Sequence, residues 1–227
     1  MRPPYIHWKL SIALMSAMAG AACAHAGPTA RSPEPFRAFD CPASGEASAF
    51  GHALTLAVDI DYLEVVSHGG GHTYVTVVER GAKCSAAADA AACTAELSRQ
   101  RQAWLQSQPA CSDCRGTTLI LTTHRDHIAQ WSLSSELLTL LGPIDSPADA
   151  WLLLMARDGL PPYACGDASA SAYRILRDRI ELSRQEWTSS CRPIERVAIV
   201  QSVDRNGEVK NVSRSVVEHD LDGCIKP

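Results

Sequence analysis

Residues 196–217, RVAIVQSVDRNGEVKNVSRSVV, contain two runs rich in β-branched residues on either side of a turn signal. The turn lies at Asp204-Arg205-Asn206-Gly207. Asn-Gly readily adopts the positive φ angles that tight hairpins need, and β-branched side chains suit a pleated surface. The stretch therefore predicts two antiparallel strands, at 196–203 and 208–217.

Similar short apolar or alternating runs predict further strands, at 53–58, 62–66, 73–78, 117–123, 128–133, 172–176 and 180–187. Between 173 and 187 the apolar spacing also suits one face of a helix. The polar break Arg177-Asp178-Arg179 divides these apolar clusters, so we interpret the segment as two strands.

Two segments favour helix. Residues 92–106 are rich in Ala, Glu and Gln. Ser146 is a good N-cap, Pro147 fits the first helical position, Asp149 favours the N-terminal turn, and Gly159 can end the helix. The sequence predicts an α+β fold: one domain at 39–227, an antiparallel sheet of hairpins or a meander with two principal helices, crosslinked by disulfides.

Composition places the chain among folded domains and excludes some partners. The 227 residues are 46% hydrophobic and 20% charged, which rules out disorder. The formal net charge of −4 gives no overall basic field for nucleic acid or anionic lipid. We therefore expect no nucleic-acid partner.

The first 26 residues have the pattern of a secretory signal peptide. Arg2 and Lys9 precede an apolar run at 10–24, and Ala24-His25-Ala26 is a small-x-small cleavage signal. Proline-containing residues 27–38 predict a flexible linker. In an alternative interpretation, Gly20-Ala21-Ala22-Cys23 is a lipobox, and Cys23 carries a lipid as in an outer-membrane lipoprotein. This lipid anchor would be the protein's only contact with a membrane. Both readings predict export, to the periplasm or outside the cell.

Eight of the nine cysteines follow Cys23, and an even number in an exported chain predicts disulfides. Cys84 and Cys93 bracket a short loop, and Cys111 and Cys114 could close the CSDC turn. Pairing of the remaining four is weakly determined; we favour Cys165 with Cys191 and Cys41 with Cys224. A rival interpretation makes Cys111 and Cys114 a periplasmic thiol-disulfide site, although CSDC precedes a strand rather than opening a helix. Cysteine-bound zinc lacks a second CxxC.

Two histidine pairs, each flanking a predicted turn, suggest metal chemistry. They are His68 with His72 and His124 with His127. Residues that flank a hairpin loop can face each other across the strands, and four imidazoles suit Zn²⁺ or Cu²⁺. The competing interpretation is that these are ordinary solvated hairpin tips.

Common enzyme signatures are absent: the chain has no GxSxG, HExxH, P-loop or GxGxxG motif. A local arginine cluster is offset by nearby acids, so we interpret it as a salt-bridged sheet face; an acidic partner or polysaccharide is the alternative. Its members are Arg174, Arg177, Arg179, Arg184, Arg192 and Arg196, with Asp178, Glu181, Glu186 and Glu195 between them.

The phrase LGPIDSPADAWLLLMARDG at 141–159, and the closing pattern of Cys191, Pro193, Asn206-Gly207 and Cys224-Ile225, resemble a loose group of exported bacterial proteins without assigned activity. The resemblance implies an envelope location rather than a reaction and transfers no catalytic residue. The leading hypothesis is a non-catalytic, disulfide-stabilised secreted or periplasmic protein that binds a protein, glycan or small ligand. Its alternatives are a histidine-based metalloprotein and a thiol-disulfide protein.

Overall fold

The computed structural model describes residues 34–40, 46–68, 74–108, 117–131, 134–161, 163, 166–187 and 194–220. All strand pairings among these residues are antiparallel, which confirms the predicted α+β class. Numbered in chain order, the elements are β1 (Arg37–Ala38), α1 (Glu46–Ala53), β2 (Tyr62–His68), β3 (Tyr74–Gly81), α2 (Ala90–Ser107), β4 (Thr117–His124), β5 (His127–Trp131), α3 (Ser134–Leu141), α4 (Pro147–Asp158), β6 (Ser171–Ile175), β7 (Arg179–Trp187), β8 (Ile194–Asp204) and β9 (Val209–Asp220).

These strands form two sheets. One has five strands in the order β1-β6-β7-β8-β9, and the other has four in the order β3-β2-β4-β5. The Asn206-Gly207 hairpin joins β8 to β9 as predicted, with Gly207 at a φ of 77°. Segment 171–187 forms the strands β6 and β7, so the helical alternative is wrong.

Helix α4 lies between the two sheets. Its predicted caps are confirmed: Ser146 Oγ accepts a hydrogen bond from Asp149 N, Asp149 Oδ2 accepts one from Ser146 N, and Gly159 is left-handed at a φ of 65°. Helix α4 contacts β4 on one side and β6 and β7 on the other. The main core therefore joins residues from both sheets, such as Ile120 and Leu182, around Trp151.

Helix α2 covers the opposite face of the four-stranded sheet. Leu97 packs there with Val66 and Leu119. The predicted disulfide between Cys84 and Cys93 is confirmed, with an S–S distance of 2.05 Å, and both cysteines belong to this second core. The bridge holds the start of α2 against the turn that follows β3.

The predicted strand at 53–58 is wrong. Residues 46–53 form α1, and 54–61 run without a strand partner. The alternation is real, since Leu54 is buried and Thr55 is exposed, but the backbone donates elsewhere. Thr55 N bonds Asp149 Oδ1 at 2.8 Å, and Ala57 N bonds Leu140 O at 2.9 Å. Alternating burial thus indicates an extended, half-buried segment. Such a segment becomes a β-strand only when a neighbouring strand is also available to pair with its backbone.

Helices α1 and α3 were not predicted. Both are only eight residues long, so neither gives the repeated apolar stripe that identifies a longer helix. Among the described helices, none combines the length and the hydropathy needed to span a membrane. The signal peptide at 1–26 and the linker at 27–38 remain predictions, because residues 1–33 lie outside the described part of the chain.

Candidate ligand-binding site

Three of the four predicted histidine ligands can be placed. In the β2–β4 register Tyr62 pairs with Thr123 and His68 pairs with Thr117, so His68 and His124 lie at opposite ends of this strand pair. Six residues of strand correspond to about 20 Å. Among the described residues, His68 is therefore not brought close to His124.

His124 and His127 are direct partners across the β4–β5 hairpin, as predicted for residues that flank a turn. His68 is buried and lies edge-on to the Trp104 ring, with ring centroids 6.3 Å apart. His72 lies outside the described residues. In the part of the chain that the structure describes, no cluster of three His, Cys, Asp or Glu side chains has metal-site geometry, and zinc or copper binding remains a prediction.

Most of the cysteine predictions lie outside the described residues. The disulfides proposed for Cys111–Cys114, Cys165–Cys191 and Cys41–Cys224, the thiol-disulfide role of CSDC and lipidation at Cys23 all remain predictions.

A cavity of about 530 Å³ lies where the last turn of α4 meets β7, β8 and β9. Gly159 ends α4 in a left-handed conformation, so Arg157 and Asp158 are the last side chains of the helix before the chain turns away. Both line the cavity. The helix end therefore forms one wall, and the five-stranded sheet forms the floor. The lining residues are Arg157, Asp158, Arg184, Glu186, Ile199, Gln201, Asn211, Val212, Ser213 and Arg214.

Strand register explains how the floor is built. Ile180 and Leu182 pack in the main core, so by alternation Arg184 and Glu186 lie on the same face of β7. Arg184 pairs with Ile199, and Ile199 pairs with Arg214 on β9. The floor therefore carries a row of two arginines with an apolar side chain between them.

Gln201 organises the next row of the floor. Its Nε2 donates to Asp158 Oδ2 at 3.2 Å and to Asn211 Oδ1 at 3.0 Å, and its Oε1 accepts a hydrogen bond from Arg184 Nη1. Gln201 and Arg184 are only 4% and 8% exposed. Because a buried side chain that is hydrogen-bonded to a buried neighbour has little freedom to move, Arg184 is held in place before any ligand arrives.

Acidic side chains balance two of the three arginines. Arg157 Nε lies 3.3 Å from Asp158 Oδ1, and Arg184 Nε lies 3.5 Å from Glu186 Oε2. Arg214 forms no ion pair with any described residue, although it lines the cavity. The site is thus strongly polar and carries a small excess of positive charge.

The interpretation of the arginine cluster as a salt-bridged face holds for part of it. Arg174 and Arg179 pair with Glu181, and Arg196 pairs with Glu218 at 2.7 Å. Arg184 lies on the other face and enters the cavity. The sequence could not connect Arg184 with Arg157 and Arg214, because only the fold brings α4, β7 and β9 together.

A second polar cluster lies beneath α2. The Tyr62 hydroxyl is 2.9 Å from Glu64 Oε2 and 2.7 Å from Glu79 Oε1, and burial together with these carboxylates raises the pKa of Tyr62 far above its usual value. Glu64 is fully buried between Arg101, at 3.4 Å, and Lys83, at 3.8 Å. These hydrogen bonds and ion pairs link β2, β3 and α2, so we assign the cluster to holding these elements together.

No protein-family model, curated protein or solved structure matches this chain. The site must therefore be interpreted from its own geometry.

Proposed function

We propose that the protein is a non-catalytic, disulfide-stabilised binding protein of the periplasm or the extracellular space, and that it holds a small polar ligand in the cavity at the end of α4. The proposal rests on one observation: the hydrogen bond from Arg184 Nη1 to Gln201 Oε1, which fixes the position of the Arg184 side chain. Sites that bind small polar ligands commonly place a few preorganised polar groups around an apolar surface. Here Arg184, Gln201 and Asn211 surround Ile199.

The occupied state of the two carboxylates supports binding rather than acid–base chemistry. Asp158 Oδ1 forms an ion pair with Arg157, and Asp158 Oδ2 accepts a hydrogen bond from Gln201 Nε2. Glu186 forms an ion pair with Arg184. A general base needs a carboxylate oxygen within reach of a substrate proton. Carboxylates already engaged in this way are better suited to orienting the arginines.

The location rests on two features. The first 26 residues have the signal-peptide pattern, and Cys84–Cys93 is a disulfide of the kind that persists in oxidising compartments. A chain exported in this way would meet its ligand outside the cytoplasm.

The test is an NMR screen of the isotope-labelled exported protein against neutral, anionic, cationic and zwitterionic small molecules. We expect at least one class to shift the amide signals of Gln201, Asn211 and Arg214. Shifts confined to other parts of the molecule, or no shift with any class, would overturn the proposal.

A matched pair of variants locates the site. Val212 and Val217 are the extra residues at the two irregularities of β9, and they are 49% and 47% exposed. Only Val212 lines the cavity. We expect Val212→Trp to obstruct the cavity and abolish the shifts, and Val217→Trp to leave them unchanged. The reverse result, or equal effects, would place the ligand elsewhere.

A further inference from the structure

The charges of the cavity constrain the charge of its ligand. Arg157 is balanced by Asp158 and Arg184 by Glu186, which leaves Arg214 without an ion-pair partner among the described residues. Guanidinium groups bind carboxylates through strong charge-assisted hydrogen bonds. A ligand with a single negative charge would therefore neutralise the site.

The spacing of the floor constrains the shape of the ligand. Arg184 and Arg214 lie on either side of β8, so their Cα atoms are two strand spacings apart, about 10 Å. Ile199 lies between them, and Gln201 and Asn211 form the adjoining row. The ligand must present an apolar face to Ile199 and several polar groups at its edge.

A sugar ring that carries one carboxylate has all of these features. Its C–H groups form an apolar face, its hydroxyls can exchange hydrogen bonds with amides, and its carboxylate supplies the single charge. The cavity, at about 530 Å³, falls in the usual size range for small-ligand sites. Resting on the proposed function, we propose that the ligand is a hexuronic acid, free or at the end of a glycan, with its carboxylate bound by Arg214.

Two other ligand classes fit the site less well. The ammonium group of an amino acid would need an available carboxylate, but Asp158 and Glu186 are both engaged by neighbouring side chains. A sugar phosphate brings about two negative charges, which would leave the site with an excess of negative charge. Both classes serve as comparison probes.

The experiment is isothermal titration calorimetry on the full exported chain. The probes are D-glucuronate, D-galacturonate, D-glucuronamide, D-glucose 6-phosphate and L-leucine. Glucuronamide matches glucuronate but lacks the charge. We expect at least one uronate to bind about tenfold or more tightly than glucuronamide, because only the charged uronate forms a charge-assisted contact with the guanidinium. The same margin is expected over leucine, whose ammonium lacks an available carboxylate, and over the phosphate, whose charge exceeds that of the site.

Variants of Arg214 test the assigned contact. Arg214→Ala removes the side chain, and Arg214→Gln keeps a longer polar side chain without the charge. Both variants should lose the preference for the uronate over glucuronamide. Lys210→Ala is the matched control, because Lys210 is an exposed cation on the same strand that pairs with Glu208 and does not line the cavity. This control should keep the preference. An unchanged preference in both Arg214 variants would overturn the inference.

The outcomes separate this inference from the proposed function. Leucine or glucose 6-phosphate binding in the cavity, without either uronate, overturns the uronate assignment and leaves the binding function intact. Failure of every probe in the calorimetry, combined with no cavity shifts in the wider NMR screen, overturns both.

Discussion

Gln201 of β8 and Asp158 of α4 share a hydrogen bond of 3.2 Å although 43 positions separate them in the chain. The bond ties the last turn of the central helix to the floor of the five-stranded sheet. Since Gln201 also bonds Arg184 and Asn211, one amide fixes both the wall and the floor of the cavity.

Replacing this amide should therefore damage stability and binding together. Gln201→Leu keeps the volume but leaves Asp158, Asn211 and Arg184 each without one hydrogen bond. We expect the free energy of unfolding to fall by about 1–3 kcal/mol, the usual cost of leaving buried polar groups unpaired. Urea denaturation measures this, with Gln185→Leu as the control, since Gln185 alternates with Arg184 and lies on the other face of β7. Equal losses in the two variants would contradict the assigned role.

Gly81 is predicted to be far less tolerant of a side chain than Gly166. Both have positive φ, 85° and 71°. A Cβ at Gly81 would lie 2.1 Å from the backbone oxygen of Asp61, whereas a Cβ at Gly166 meets nothing within 4 Å. Gly166→Ala should cost about 1 kcal/mol from the backbone conformation alone. Gly81→Ala should cost at least about 3 kcal/mol more, or prevent folding, because backbone must move. Similar melting temperatures for the two would refute the close approach.

The sequence predicted those parts of the fold that depend on local signals. The caps of α4 at Ser146 and Gly159, the hairpin at Asn206-Gly207 and the short loop closed by Cys84 and Cys93 each involve residues close along the chain. The division into two sheets depends instead on which strands pair with one another on each side of α4. No local pattern contains that information.

The candidate site could not be predicted from the sequence, because it too depends on contacts between residues that are far apart in the chain. Arg157 and Arg214 lie outside the arginine cluster that contains Arg184, and only strand register and the end of α4 place the three around one cavity. Histidine spacing pointed instead to hairpin tips. His68 ends β2 and His124 ends β4, but the antiparallel β2–β4 pairing puts these two residues at opposite ends of the strand pair.

The Cys84–Cys93 disulfide should stabilise α2 and its core measurably. Both cysteines are buried with Leu97. A bridge across a loop of this length restricts the unfolded chain by about 2–3 kcal/mol. We expect the double variant Cys84→Ala with Cys93→Ala to unfold at lower urea concentration by that amount. The single variant Cys84→Ala should behave similarly, and a smaller loss than about 1 kcal/mol in both would contradict the prediction.

Tyr163 should make the protein sensitive to alkali. Its ring stacks on Phe39 at a centroid distance of 3.9 Å and meets Phe50 edge-on, and this burial raises the pKa of Tyr163 to about 12. Because an unfolded tyrosine ionises near pH 10, the folded state disfavours the phenolate. The stabilising contribution of the neutral hydroxyl is therefore complete below about pH 10 and is lost as the pH rises through about 12.

Tyr163→Phe keeps the stacked ring and removes the ionisation. Its free energy of unfolding should stay close to that of the unmodified protein at neutral pH, and should fall less steeply between about pH 10 and pH 12. Tyr163→Leu also removes the ring, so it should lose stability at neutral pH as well. Urea midpoints measured across this range decide the matter: parallel alkaline slopes for Tyr163→Phe and the unmodified protein would show that another group governs the alkaline loss.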